Sequence, residues 1–78
     1  MEAKELLQAL KKAVKNFEEE CKKSGKIIEK VSINFTSRYA TLRGVIEDNE
    51  TGDDFIMTQY LWFYSGEIEA GTVEIFNY

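Results

Sequence analysis

The chain has no histidine and a single cysteine, Cys21. Without imidazole, His-based triads and His general bases are excluded and zinc sites lose their usual ligands, and one cysteine cannot close an internal disulfide. No run of 18 or more apolar residues occurs, so no segment reads as a membrane-spanning helix. The opening Met1-Glu-Ala-Lys-Glu5 lacks the basic-then-apolar order of a signal peptide, and a cytoplasmic location is expected. Gly44, Gly52, Gly66 and Gly71 are isolated, which leaves no phosphate-cradling loop. Basic charge is short as well. With 14 acidic against 10 basic residues the net charge is −4, which argues against an extended nucleic-acid partner held by phosphate neutralisation.

What is present reads as one small folded domain, residues 1–78. An aromatic fraction of 13% and a hydrophobic fraction of 44% are too high for a disordered segment. A chain of this length buries only about 60% of the surface its unfolded form exposes, so help from oligomerisation is in keeping with its size. Charge is unevenly placed. Lys11, Lys12, Lys15, Lys22, Lys23, Lys26 and Lys30 all fall in the first 30 residues, and after them only Arg38 and Arg43 are basic. This is the pattern of a solvated helix followed by an acidic second half.

Ala3, Leu6, Leu7, Leu10, Ala13, Val14, Phe17 and Cys21 recur at spacings of three and four, one stripe of an amphipathic helix over about 2–23. Glu2 and Glu5 suit its start and Lys22 and Lys23 its end, with Glu18–Lys22 and Glu19–Lys23 spaced as ion pairs. Ser24-Gly25 is expected to stop it, Gly25 as a left-handed cap. Cys21, at the end of the stripe, reads as a small buried hydrophobe and not as a reactive thiol.

From Ile27 the period becomes two, predicting strands at about 28–36, 39–47, 55–64 and 67–77. A tight turn at Ser37-Arg38 sets Phe35 against Ala40, Ile33 against Leu42 and Val31 against Gly44, making one face apolar or small. That turn lacks the glycine a two-residue hairpin favours. Phe55, Met57, Leu61 and Phe63, with Gln59, join this inner face. A second turn at Ser65-Gly66 returns Ile68 beside Phe63 and Ala70 beside Leu61. After Ala70-Gly71 the alternation slips, as at a bulge, and Val73 and Ile75 take over the inner positions. The expected fold is α+β: an N-terminal amphipathic helix packed on one face of a four-stranded antiparallel β-meander.

Residues 55 to 64 are apolar or aromatic on both faces, and the second face has no helix to cover it. Register places Tyr39, Thr41 and Arg43 beside Tyr60, Trp62 and Tyr64 there, with Val45 on the same side and Glu67 and Glu69 on the neighbouring strand. Tyr, Trp and Arg dominate binding hot spots because they offer large contact area with a polar tip. These six residues form the candidate binding site. The acidic cluster Glu47, Asp48, Glu50, Asp53 and Asp54 does not have the spacing of a calcium loop and reads as a solvated turn. Glu67 and Glu69 read as edge charge that discourages aggregation, not as an acid–base pair.

Two functions fit. The favoured one is a non-catalytic, small acidic protein-interaction module, an inhibitor or adaptor of phage or mobile-element type. It acts through the aromatic sheet face or the acidic loop, on another protein or on its own copy as a homodimer. The alternative is a dimeric module that sequesters a nucleotide-like ligand, with Tyr60, Trp62 or Tyr39 stacking on a base and Arg43 reaching a phosphate. Arg43 separates them: free in a pocket it favours sequestration, neutralised by Glu67 or Glu69 it favours a flat protein-binding face. No enzyme activity, cofactor, metal or membrane partner is expected.

Overall fold

Helix α1 spans Ala3–Ser24 and leads without a loop into strand β1, Gly25–Phe35. In this computed structural model, which describes residues 3–78, the remaining strands are β2 (Tyr39–Asp48), β3 (Asp54–Tyr64), β4 (Glu67–Ala70) and β5 (Glu74–Asn77). The fold is α+β. The sheet is antiparallel in the order β1-β2-β3-β4, and β5 shares with β4 the outer side of β3. The fourth strand of the expected meander is thus one edge broken in two.

The 3.6-residue stripe of α1 lays Phe17, 1% exposed, and the fully buried Cys21 on the sheet. They meet Ala40, Leu42 and Ile46 of β2 and Met57 and Leu61 of β3, and Leu10, Ala13 and Val14 pack at the margin of this core. Leu7, in the first turns of the helix, is 51% exposed, so the N-terminal part of the stripe is not covered by the sheet. Glu2, expected at the helix start, lies outside the described residues. Lys23 pairs with Glu20 at 3.3 Å instead of Glu19. Both side chains are mostly in solvent, where such a pair contributes little.

The left-handed cap expected at Gly25 does not form; the only glycines at positive φ are Gly52 and Gly66. The Ser24 hydroxyl donates to the Glu20 carbonyl oxygen at 3.2 Å, satisfying a last-turn acceptor, and the chain goes straight into β1. Glycine is needed for a different reason: a Cβ on Gly25 would land on the Glu47 carbonyl oxygen. β1 therefore begins three residues earlier than its period suggests.

The expected hairpin pairs Phe35–Ala40 and Ile33–Leu42 are present. Beyond them β1 carries two bulges, between Ile27 and Glu29 and between Glu29 and Ser32, each adding one residue against β2. Ile27 thereby faces Ile46, and Glu29 faces Val45. Phe35, expected in the core, is 54% exposed because the helix does not extend over it. The first turn manages without glycine through Thr36. Its N–H donates to the Tyr39 carbonyl oxygen at 2.8 Å, and its hydroxyl accepts from the Tyr39 N–H at 3.1 Å in place of its own carbonyl.

β2 and β3 pair without interruption from Tyr39–Trp62 to Glu47–Asp54. Ser65 and Gly66 take φ of 48° and 77°, the left-handed pair of a type I′ turn, which sets Ile68 against Phe63 and Ala70 against Leu61. Leu61 faces Ala70, yet Thr58 faces Glu74, so Gln59 and Tyr60 oppose three residues, Gly71 to Val73. This is the bulge anticipated at Gly71. The Gly71 N–H donates to the Tyr60 carbonyl oxygen, and the Gln59 amide donates to the Gly71 carbonyl oxygen, both at 2.8 Å. The polar Gln59 on an apolar face thus serves the carbonyl that the bulge takes out of the ladder. Val73 packs on the core as expected, whereas Ile75, paired with Met57, lies beyond the helix and is exposed.

Phe17→Ala should lower stability by about 3–5 kcal/mol through a cavity under the helix, and Leu10→Ala, at the half-exposed margin, by less; denaturant melts followed by circular dichroism measure both. Ser65 occupies a conformation that non-glycine residues reach at a cost, so Ser65→Asn should raise stability and Ser65→Val lower it by about 1 kcal/mol. The same melts would show an opposite ranking if the turn were not of this type.

Candidate protein-interaction face

Alternation along β2 and β3 sends Ala40, Leu42, Ile46, Met57 and Leu61 to the helix, so their neighbours point to the other side. All six sequence-selected residues lie on that outer face. Three come together. Tyr39 sits opposite Trp62 with ring centroids 4.9 Å apart, Tyr60 meets Tyr39 edge-on at 5.5 Å, and Tyr60 stacks near Trp62 at 5.8 Å with 28° between planes. These separations are those of favourable aromatic pairs. Thr41 is registered opposite Tyr60 at the edge of the cluster. Tyr64 shares the face at the end of β3 but touches none of the three rings as a pair and is 55% exposed.

Arg43 is separate from the rings. Its guanidinium lies 3.6 Å from the Glu29 carboxylate, with both side chains close to half exposed, so its charge is neutralised by β1 and not by Glu67 or Glu69. The first β1 bulge is what brings Glu29 opposite Val45 and onto this face. Glu29 also holds the Tyr78 phenol above its ordinary value, chiefly through a hydrogen bond and next by its charge. Val45 is 0% exposed although no helix covers it; its register neighbours are Glu29 and Ile56, and Ile56 is in turn opposite Phe76. Phe76 and Glu29 are members of this face that sequence reasoning missed. Phe76 was accessible to it, since the slip at Gly71 turns position 76 outward.

Glu69 faces Trp62, Glu67 faces Tyr64 and Glu74 faces Thr58, a row of carboxylates along the broken edge. Neither of the ion pairs among the described residues involves them. The main cavities open elsewhere: between α1 and β1, beside Asp53, Asp54 and Tyr78, at the β2–β3 loop, and between α1 and β4. Tyr39, Tyr60 and Trp62 line none of them. The face is flat.

The acidic loop spends its carboxylate on its own backbone. Asp48 Oδ1 accepts from the Glu50 N–H at 2.8 Å and the Thr51 N–H at 3.0 Å, and these donors hold the Asp48 carboxyl below its ordinary value. Among the described residues no three side chains of metal-ligating type cluster. Cys21 is buried, and burial, followed by the charges of Glu18 and Glu20, pushes its thiol up, away from the reactive thiolate. Among the described residues no helix is long and apolar enough to cross a membrane. Comparisons with protein-family models, with curated proteins and with solved structures found no match.

Because the folded-state value of Asp48 is lowered, its contribution to stability is present above the ordinary carboxylate value of 3.8 and is lost as pH falls below it. Asp48→Asn keeps an acceptor but cannot titrate. Thermal melts between pH 7 and pH 3 should show a smaller acid-side loss for the variant than for the wild type; equal losses would mean that Asp48 does not anchor the loop.

Proposed function

We propose that the chain is a non-catalytic protein-interaction module that docks another protein, or a second copy of itself, on the outer face of its sheet. The observation carrying this reading is the Tyr39–Tyr60–Trp62 cluster on the sheet face opposite the helix, with the exposed Tyr64 and Phe76 on the same face. Tyr60 is 38% exposed and Tyr39 and Trp62 less, so the three rings offer only part of the roughly 150–250 Å² that an aromatic side chain can bury, and Tyr64 and Phe76, about half exposed, add to what a partner would cover. The carboxylates of Glu67, Glu69 and Glu74 would form its polar rim and favour a partner carrying Lys or Arg.

A small-ligand site requires a concavity that buries most of the ligand. Here the rings pack on one another with no cavity between them, and the guanidinium that would reach a phosphate is engaged by Glu29 at 3.6 Å. Both features support the protein-docking reading over nucleotide sequestration. Small size, acidic balance and a sealed Cys21 suit an inhibitor or adaptor, the type common among phage and mobile-element proteins.

The double variant Tyr60→Ala/Trp62→Ala should keep the helical signal and a cooperative melt but lose the oligomer or the partner complex. Light scattering after size exclusion, with co-purification from a host lysate, measures both. Monomers of the same mass and the same co-purifying proteins for wild type and variant would refute the proposal.

A further inference from the structure

We propose a second binding site on the opposite side of the sheet, where the free edge of β1 and the basic flank of α1 take an extended acidic peptide carrying one bulky apolar side chain. This inference rests on different residues from the outer-face reading and stands or falls independently of it. β1 is an edge strand, and among the described residues nothing pairs with its outer side. Its two bulges interrupt the edge from Ile27 to Ser32, which discourages pairing there. From Ser32 to Phe35 the strand is regular. The Thr36 N–H bonds to the Tyr39 carbonyl, and antiparallel bonding alternates along a strand, so Asn34 is turned to β2 while Ile33 and Phe35 present N–H and C=O to solvent. A peptide strand can bond to these four groups.

Beside this short edge lies a cavity of about 260 Å³ between helix and strand, lined by Leu10, Lys11, Val14, Lys15, Glu18 and Ile33. Its floor is apolar, and it is larger than the ~150 Å³ apolar cavity that admits benzene. Ile33 points into it, so a strand added to the edge brings alternate side chains over the same floor. Phe35 and Leu7, about half exposed, are available to continue apolar contact past the cavity. Two of the three charged residues at the mouth are lysines, Lys11 and Lys15 against Glu18, and Lys4, seven residues before Lys11, falls on the same stripe of α1, whereas Lys12 faces the β4 side. After residue 30 eight acidic residues stand against two basic ones, so an acidic segment is attracted here and repelled by most of the remaining surface.

The test uses the full chain and an end-capped fluorescent peptide, Asp-Glu-Asp-Phe-Asp-Glu, followed by anisotropy and by amide shifts in nitrogen-15 spectra. Binding should perturb the Ile33 and Phe35 amides. It should weaken roughly tenfold when Lys11→Glu and Lys15→Glu are combined, both being exposed positions that leave the fold intact. Val14→Phe, which fills the cavity, should also weaken it, and replacing the peptide's Phe by Ser should do the same. Tyr60→Ala/Trp62→Ala should bind the peptide as the wild type does. No saturable binding, shifts confined to the outer face, or equal affinity of the lysine variant would overturn the proposal. So would a change in oligomeric mass on lysine reversal, which would assign this edge to a second copy of the chain.

Discussion

The helix reaches the sheet through the space above Gly44. A Cβ there would come to 3.5 Å from Cys21 Sγ and 3.8 Å from Phe17 Cε2, ordinary contact distances, and to 3.3 Å from Val31 Cγ2 of β1, so the β2 backbone lies directly beneath the helix at this point. Packing at this closeness leaves one parity for β2, because a one-residue slip would put Arg43 or Val45 under the helix. The unbroken β2–β3 ladder passes the same parity to β3. Leu61 is thereby committed to the core and Trp62 to the far side, and both candidate surfaces follow from that commitment.

Inserted residues do the remaining shaping. In β1 they bring Glu29 beside Arg43 and break up most of a long edge; at Gly71 they split the opposite edge and turn Val73 inward and Phe76 outward. Each removes ladder bonds, and at Gly71 the cost is offset by the Gln59 amide. Both edges of this small sheet are therefore irregular, which limits unspecific strand pairing and leaves Ser32–Phe35 as the regular open stretch of β1.

The two sides of the sheet differ in chemistry as well as in cover. The helix side offers lysines around an apolar groove at an edge, suited to a segment; the outer side offers stacked rings bordered by carboxylates, suited to a surface. A chain with net charge −4 thus places Lys11 and Lys15 by the groove on one side of the sheet and Glu67, Glu69 and Glu74 along the edge that borders the rings on the other.

The helix, the inward set of β2 and β3, the Ser65-Gly66 register and the slip at Gly71 were legible in the residues, because periodicity and turn chemistry are local properties. So was the outward placement of Tyr39, Tyr60 and Trp62, which follows from parity alone. Gly25, the β1 bulges and the Glu29–Arg43 pair were not legible: each depends on what a distant strand presents at that height, such as the Glu47 carbonyl against Gly25. Exposure of Leu7, Phe35 and Ile75 was decided by where helix and sheet cease to overlap, a matter of relative length and position in space that no alternation of apolar and polar residues encodes.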